Sequence, residues 1–426
     1  MNASARRQAS VLWLGAQVES TAGGGVRGPS EAWWLGDSDA CGEPRTGFAA
    51  PGREDWSSPS AMFAPLELTG RFVRDLRAWR PAQVRLVALS AVGLDLARLA
   101  IAFGFDTSIR LPDDFEPAGL DTVARRWLGG VLLAADAVVC PQPQTPLASW
   151  LAELSVPHIA DWPTVRADER KTAMDQWGYQ TYAIGRRDHA LLADMQRGLV
   201  AHFEGCGNVL DLGCGTGVFL DLLLRAGVPA EGVERNVESV RYARALGLQV
   251  VEDDALAFLE TRPGQYDGLY CSHFVEHLPL EGVERLLRAC AAGLQNEGVV
   301  VFVFPDPESI RSQLLGFWRD PEHVRFYHPE LVALMAEPLG LTLEYSSARA
   351  EGRSVVPFSM HPPPLPPDHT SGPWGGLLRT LGLASRSELA AVRAKAAWME
   401  TQLRQLWAVN QTWAWNDNAV LRMRKR

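Results

Sequence analysis

The sequence predicts an α/β protein with two successive units, each a parallel sheet covered by helices on both faces, followed by a long C-terminal helix. Apolar strand patterns alternate with amphipathic helix patterns before and after about residue 165, which predicts two such sheets. Three closely spaced glycines follow an apolar strand in the second unit. Apolar residues at alternating three- and four-residue spacing near the C-terminus predict the long helix.

The N-terminal unit, residues 1–165, alternates strands and helices along most of its length. Strands are predicted at 10–15, 84–90, 107–111, 137–140 and 157–160, and helices at 66–79, 94–103, 120–135 and 145–154. Residues 21–60 are rich in Gly, Ser and Pro and are predicted to be loop-like. The alternation predicts a doubly wound sheet.

The glycine-rich turn is the most informative motif in the chain. An apolar strand carries Asp211, and Gly213, Gly215 and Gly217 follow at alternate positions before an apolar helix begins. Glycine lets the backbone approach a ligand, and the N–H groups that open a helix favour an anionic or polar group. The spacing differs from the dinucleotide fingerprint, and the P-loop Lys-Ser/Thr is missing. A tight strand–helix turn without a ligand is the alternative.

The D-x-G-x-G-x-G pattern resembles the first motif of class I S-adenosylmethionine-dependent methyltransferases, which have a Rossmann-like fold. The resemblance covers about residues 175–360 and implies S-adenosylmethionine as the cofactor. It implies that Glu234, which ends the next strand, accepts the ribose hydroxyls, and that Asp254 lies near the adenine. Asp254 is also a good helix N-cap, and the two roles are compatible. The cofactor-binding residues implied are Asp211, Gly213, Gly215, Gly217, Glu234, Asp254, Ala255, Ser272 and His273.

The later segments of this domain follow the same pattern. The resemblance extends to an aromatic-Asp pair, an apolar strand and a loop with His-x-x-Glu-His, at Tyr266, Asp267, His273, Glu276 and His277. Helices are predicted at 281–295 and 329–339, and strands at 299–304, 341–347 and 353–359. The last two strands are expected to form the antiparallel edge of the methyltransferase sheet.

A hydroxyl acceptor needs a general base, because an alcohol is a poor nucleophile at neutral pH. Histidine suits this role, and His277 and His323 are the preferred candidates, with His273 and His328 behind them. A structural or helix-capping role is the alternative for His277. No metal is expected, although Glu276, His277 and His323 are a possible ligand set if they converge.

The insertion at 317–329 lies where class I methyltransferases recognise the acceptor. Its Trp318, Arg319, Arg325 and Tyr327 suit stacking on a sugar or binding a phosphate. It resembles a segment of methyltransferases associated with surface polysaccharides. The resemblance implies methyl transfer to a hydroxyl of a sugar in a surface glycan, a glycolipid precursor or a nucleotide-sugar. The alternatives are a quinone-type small-molecule O- or C-methyltransferase and a glycan-assembly scaffold protein that binds S-adenosylmethionine.

The order of strands and helices and the local sequence of the N-terminal unit resemble the N-terminal half of GT-B glycosyltransferases. The resemblance lies in residues 104–114, residues 133–140 and the helix after Gln144. A GT-B enzyme needs a second half to hold its nucleotide-sugar, and the methyltransferase pattern occupies that place. We therefore expect a non-catalytic unit that docks a glycan acceptor or a partner, with a purely structural appendage as the alternative.

The predicted domains are residues 1–165, the methyltransferase at 166–360, a Pro/Gly-rich linker at 361–384 and a long helix at 385–426. The helix carries a heptad repeat, which predicts a coiled coil and a homodimer. Packing of this helix on its own chain is the alternative. The repeat positions are Leu389, Val392, Ala396, Met399, Leu403, Leu406, Asn410 and Trp413.

Composition narrows the classes of partner and location. The net charge of −9 disfavours a nucleic-acid partner, because phosphate binding requires basic faces. The chain lacks an apolar run of transmembrane length and the apolar core of a signal peptide. The basic end at 422–426 predicts at most peripheral membrane contact, and a solvated end is preferred. The six cysteines form no C-x-x-C pair, which fits a reducing cytoplasm.

Overall fold

The computed structural model describes residues 10–14, 33–37, 62–87, 89–112, 115–140, 146–165, 187–350, 377, 380–381, 384–411 and 416–426. The predicted strand at 353–359 and the proline-rich stretch at 361–367 lie outside these residues, as does most of the predicted linker. Among the described helices, none combines the length and the apolar character that crossing a bilayer requires.

The chain divides into two compact units. The first comprises residues 1–272, 288–301 and 425–426, and the second comprises residues 273–287 and 302–424. The domain boundaries predicted at 165, 360 and 384 remain predictions.

The first unit contains a six-stranded sheet in the order β2-β1-β3-β4-β5-β6. Strands β1 and β3 to β6 are parallel, and β2 pairs with β1 in antiparallel orientation. The strands are β1 (Ser10–Leu14), β2 (Trp33–Asp37), β3 (Gln83–Leu86), β4 (Thr107–Arg110), β5 (Ala137–Val139) and β6 (His158–Ile159). The helices are α1 (Leu66–Trp79), α2 (Ala91–Ala102), α3 (Thr122–Ala134) and α4 (Pro146–Glu153). The predicted alternation of strands and helices is confirmed.

Strand β2 corrects the prediction that residues 21–60 are loop-like. The five residues Trp33–Asp37 pair with β1 along its whole length. Their Trp-Trp-Leu run has high β propensity, which the surrounding Gly, Ser and Pro residues outweighed in the prediction.

The first unit also contains strands of a second sheet, in the order β11-β10-β7-β8-β9. Strands β10, β7, β8 and β9 are parallel, so their carboxyl ends lie at one edge. These strands are β7 (Val209–Leu212), β8 (Ala230–Glu234), β9 (Val250–Glu252), β10 (Tyr266–Ser272) and β11 (Leu294–Pro305), of which β11 belongs to this unit as far as Val301. The helices are α5 (His189–Gln196), α6 (Val218–Arg225), α7 (Val237–Arg244), α8 (Ala255–Glu260) and α9 (Leu280–Gly293), of which α9 belongs to this unit only from Arg288 onward.

One hydrophobic core joins the two sheets of the first unit. It runs from Leu12 in β1 to Val250 in β9 and includes helix α2 and helix α7. A buried polar group lies within it: the Asp95 carboxylate accepts from the Tyr242 hydroxyl and from Arg98 at 2.6 Å. Helices of the first sheet are thereby packed against helices of the second.

In the second unit, the strand order is β12-β13 followed by the end of β11. The elements are β12 (Leu341–Ser346), β13 (Asn418–Lys425), α10 (Pro329–Ala336), α11 (Ser347–Ala350) and α12 (Ala384–Gln411). The predicted long C-terminal helix is present, although it ends at Gln411.

Strand β13 corrects the prediction that the C-terminal helix continues to residue 426. Its Ala419, Leu421 and Met423 are buried, and the residues between them are partly exposed. This period of two is typical of a strand with one covered face. The neighbour of β12 is therefore β13, and the basic residues Arg422 and Arg424 form ion pairs with Glu344. Arg426 is exposed, and the peripheral membrane contact or solvated end predicted for this basic segment stays a prediction.

Candidate active site

The glycine-rich turn connects β7 to α6 at the edge where the parallel strands end. All three glycines have positive φ, at 70° for Gly213, 54° for Gly215 and 80° for Gly217. Residues other than glycine rarely adopt this backbone conformation. The Gly213 N–H donates to the Val233 carbonyl at 2.9 Å, which ties the turn to β8. The turn is therefore built on backbone geometry that the glycines alone supply.

Glu234, the last residue of β8, faces the turn. One carboxylate oxygen accepts from the Gly215 N–H at 2.9 Å, and the other accepts from the Asn236 N–H at 2.8 Å. Asn236 caps helix α7 by accepting from the Ser239 N–H. The prediction from sequence omitted Asn236, although an Asn just before a helical pattern is a known capping signal. The Glu234 carboxylate is thus held in place by two backbone donors.

Asp211 lies within β7 and is 3% exposed. Burial and, to a smaller extent, the negative charge of Glu234 raise the pKa of its carboxyl well above the ordinary value. Burial, and to a smaller extent the charges of the same two carboxylates, raise the pKa of the Cys214 thiol. This edge of the sheet therefore concentrates negative potential that a cationic ligand would relieve.

Asp254 and Ala255 begin helix α8 after β9. The Asp254 carboxylate accepts from the N–H groups of Leu256 and Ala257, at 3.1 and 3.0 Å. The N-cap role is confirmed, and the role near adenine stays a prediction. Ser272 ends β10, and Asp211, Glu234, Asp254 and Ser272 all lie at or near the carboxyl ends of parallel strands.

The geometry of this edge fits S-adenosylmethionine. Among the described residues, a Cβ added at Gly215 would meet no atom closer than Arg187 Nη1 at 4.0 Å, so these residues leave space in front of the turn. The cofactor carries a sulfonium and an ammonium group, and the two carboxylates would stabilise these charges. The sequence analysis did not predict that Arg187 lies near this turn, because no motif is present in the segment that contains it.

In the second unit, the loop after β10 holds Glu276 and three histidines come near it. His273 adopts a left-handed conformation, with φ of 52°, and its Nδ1 lies 3.0 Å from Glu276 Oε1. Glu276 is 1% exposed. The ring centroids of His277 and His323 are 4.8 Å apart, and His323 Nε2 lies 3.9 Å from Glu276 Oε1. The structure therefore brings together both candidate bases, which are far apart in sequence.

The residues predicted to bind the acceptor differ in accessibility. Trp318 is 73% exposed, and Arg319 and Arg325 are also exposed. Tyr327 is 1% exposed, and its hydroxyl donates to the Leu278 carbonyl at 2.8 Å. Tyr327 therefore anchors its segment and presents no free face for stacking on a sugar, which corrects the prediction for this residue.

His328 has a different role from the other candidate bases. Its Nδ1 accepts from the Glu330 N–H at 3.3 Å and so caps helix α10. Its Nε2 lies 3.4 Å from Glu308. Because both ring nitrogens are engaged in this way, His328 is a capping residue.

The fold and the first unit's strand edge define a methyltransferase domain. Residues 170–346 match the family model described as a methyltransferase domain. The parallel strands, the glycine turn and the acidic residue that ends β8 lie within that range. S-adenosylmethionine is the cofactor of this domain.

Among curated proteins, the chain is similar to ubiquinone biosynthesis O-methyltransferases. It is 33% identical to that of Sodalis glossinidius over 22% of this chain and 40% of the relative. It is 35% identical to that of Bordetella pertussis over 25% of this chain and 47% of the relative. The chain thus spans less than half the length of these relatives.

Among solved structures, a SAM-dependent methyltransferase from Archaeoglobus fulgidus is 24% identical, with a TM-score of 0.40, over 58% of this chain and 99% of that one. At this TM-score, the structural similarity does not indicate a function.

Proposed function

We propose that this protein transfers a methyl group from S-adenosylmethionine to a hydroxyl of a small acceptor. The observation that carries the proposal is the Glu234 carboxylate, which two backbone N–H groups hold beside the glycine-rich turn. The family match over residues 170–346 supports the same activity.

The cofactor supplies an activated methyl group on a sulfonium, and its transfer forms a carbon–oxygen bond as the carbon–sulfur bond breaks. Glu234 would accept from the ribose hydroxyls with the lone pairs that Gly215 and Asn236 leave available. Asp211 and Glu234 would balance the positive charge of the cofactor. The protein otherwise holds the acceptor oxygen in line, which is the main requirement when the methyl group is already activated.

The hydroxyl that receives the methyl group must lose its proton during the transfer. We propose His323 or His277 as the general base that takes this proton. His323 Nδ1 lies 2.6 Å from the Phe317 carbonyl, so this nitrogen carries the proton when the ring is neutral. The Nε2 lone pair is then available for base catalysis. His277 Nδ1 is buried and has no hydrogen-bond partner among the described residues.

Two acceptor classes follow from different observations. The exposed Trp318, Arg319 and Arg325 suit a sugar, which includes sugars of surface glycans, glycolipid precursors and nucleotide-sugars. The names of the curated relatives favour a phenolic hydroxyl of the quinone-biosynthesis type. Sugar and phenol panels assayed with radiolabelled cofactor would separate them, because each class predicts turnover on one panel only.

The first test is titration calorimetry of the purified protein with S-adenosylhomocysteine, the product of the cofactor. We expect one site with micromolar or tighter affinity. A folded protein that binds no S-adenosylhomocysteine would overturn the proposed function.

We further propose that helix α12 associates with the same helix of a second copy. The heptad residues Val392, Leu403 and Leu406 are exposed by more than half, at 63%, 63% and 66% respectively. An apolar seam of this kind is normally covered by a partner helix.

A further inference from the structure

Glu276, His277 and His323 each direct one possible metal-ligand atom toward the same point in the second unit. These three atoms lie within 4.8 Å of one another. Two imidazole nitrogens and one carboxylate oxygen form a donor set that first-row transition metals bind well. The set combines the turn after β10 with the insertion at 317–329, two segments that are distant in sequence.

Two of these side chains, buried Glu276 and half-buried His277, each have a buried polar atom that is unsatisfied. Glu276 Oε2 and His277 Nδ1 have no hydrogen-bond partner among the described residues. A buried carboxylate or imidazole without a partner is unfavourable, and native proteins rarely leave such atoms unpaired. The ion-pair partners of Glu276 within the described residues are the imidazoles of His273 and His323. A cation coordinated by Glu276 Oε2 and His277 Nδ1 would satisfy both unpaired atoms and balance the carboxylate.

His323 is oriented as a metal-bound histidine usually is. Its Nδ1 lies 2.6 Å from the Phe317 carbonyl, so the lone pair of the neutral ring is on Nε2, which lies 3.9 Å from Glu276 Oε1. Histidine ligands typically donate their other N–H to a carbonyl or carboxylate in this way. The Phe317 ring, 1% exposed, lies against the imidazole at 4.5 Å between centroids and restricts its rotation.

The backbone holds the two ligand-bearing segments together. The Val324 N–H donates to the Glu276 carbonyl at 2.8 Å, and the Arg325 N–H donates to the same oxygen at 3.4 Å. The Tyr327 hydroxyl adds a bond to the Leu278 carbonyl. These bonds fix the two segments that carry the three ligand atoms beside each other.

We propose that Glu276, His277 and His323 bind one divalent first-row transition-metal ion, of the class that includes Zn²⁺ and Mn²⁺. Asp320 Oδ2, 3.8 Å from His323 Nε2, lies beside this site. The site goes beyond the proposed methyl transfer, because its ion can be measured without any acceptor. With the metal bound, His277 and His323 would be ligands rather than bases. A hydroxyl that coordinated such an ion would have a lower pKa and would release its proton to water.

The test uses the full chain, stripped with a chelator and dialysed against metal-free buffer. Calorimetric titration with Zn²⁺ and elemental analysis after gel filtration should both give one equivalent. The Co²⁺-loaded protein should show visible absorption bands from nitrogen and oxygen ligands. Glu276→Gln and His323→Gln should each weaken Zn²⁺ binding at least about tenfold, which is the lower end of the effect of disturbing a metal's surroundings.

The matched control is His328→Asn, which removes an imidazole from the same segment and keeps a residue that can cap α10. It should bind Zn²⁺ as the unmodified protein does. Circular dichroism melts establish that each variant folds, and His277→Gln replaces any variant that does not.

Sub-stoichiometric Zn²⁺, or equal affinity in the folded ligand variants, would overturn the metal site and leave a water-bridged polar cluster. A parallel titration with S-adenosylhomocysteine separates this failure from that of the proposed function. Normal S-adenosylhomocysteine binding with no metal defeats the metal site alone, whereas metal binding without S-adenosylhomocysteine binding defeats the methyltransferase proposal alone.

Discussion

The carboxylate of Glu234 joins three parts of the cofactor edge. It ends β8, accepts from the Gly215 N–H in the turn, and accepts from the Asn236 N–H at the start of α7. A charged acceptor makes stronger hydrogen bonds than a neutral one. Removal of this side chain would therefore affect both the ligand contact and the orientation of the turn.

We expect Glu234→Ala to weaken S-adenosylhomocysteine binding by more than about 1 kcal/mol, the scale of a lost charge-assisted hydrogen bond. The control is Glu252→Ala, which removes the exposed carboxylate that ends the neighbouring strand β9 and pairs in register with Glu234. It should leave the affinity unchanged. Equal affinities for both variants in calorimetry would remove Glu234 from the site.

His189 is a buried titratable group outside the proposed site. Its ring lies between Phe63 and Tyr242, with centroids 5.2 and 5.3 Å away. Burial lowers its pKa from 6.5 to about 4, and the charges of Asp95, Arg98, Arg187 and Asp188 modify this effect. The folded protein therefore holds His189 neutral under conditions in which an unfolded chain would protonate it.

This shift predicts a loss of stability in acid. The folded pKa lies below the unfolded one, so the contribution is complete above pH 6.5 and falls as the pH drops toward 4. The full loss is of the order of 3 kcal/mol. His189→Phe should reduce the change in melting temperature between pH 6.5 and 4. His158→Gln, in β6, should leave that change as it is in the unmodified protein. An unchanged pH profile in His189→Phe would contradict the prediction.

At the level of single elements, the start of α6 depends on Gly217. This residue is the N-cap with φ of 80°, and an added Cβ would lie 2.4 Å from Leu248 Cδ1. Gly227, which follows the end of the same helix, has a similar φ of 76° but no atom within 4 Å of an added Cβ. A comparison of substitutions at these two positions therefore separates the cost of backbone strain from the cost of crowding.

Gly217→Ala should therefore destabilise the protein more than Gly227→Ala does. Both carry the left-handed backbone cost of about 1–2 kcal/mol, and Gly217→Ala adds overpacking of about 1–3 kcal/mol. Denaturant unfolding of the two variants measures the difference. Equal stabilities would show that the Leu248 side chain moves aside without cost.

Helix α12 is the other element with a specific expectation. If the heptad seam joins two copies, Leu403→Glu places charges at the apolar seam and should convert a dimer into a monomer. Thr401→Glu changes an exposed residue off the seam and should leave the dimer intact. Light scattering after gel filtration gives the mass of each. A monomeric unmodified protein would contradict the proposed dimer.

Across the whole molecule, the N-terminal sheet is more than an appendage to the first unit's core. Asp221 in α6 accepts from Arg126 and from the Trp127 indole, both in α3 of the first sheet, and from Arg225 in its own helix. Tyr242 in α7 is fully buried and bonds to Asp95 in α2. These buried polar pairs specify one packing of the two sheets, because mismatched packing would leave charges unpaired.

A fragment lacking residues 1–165 should therefore fail as an independent methyltransferase. It would expose apolar residues of α7 and leave Asp221 without two of its donors. We expect low soluble yield or strong binding of a hydrophobic dye, and recovery when residues 1–165 are co-expressed. A soluble fragment with the melting temperature and S-adenosylhomocysteine affinity of the full chain would contradict this expectation.

Local patterns were sufficient for much of the fold and of the cofactor edge. The alternation of strands and helices, the glycines with positive φ and the Asp254 cap each depend on a few neighbouring residues. Strand β13 also had a local signal, in the alternation of Ala419, Leu421 and Met423, but the helical pattern before it obscured that signal.

Contacts between distant segments required the folded chain. The convergence of Glu276 with His323, the bond from Tyr242 to Asp95 and the pairing of β12 with β13 join residues that no local periodicity connects. Tyr327 illustrates the same limit, because only its packing showed that an aromatic residue suited to stacking is buried. Dihedral preferences and periodicity act over a few residues, whereas burial and polar pairing depend on which surfaces meet when the chain folds.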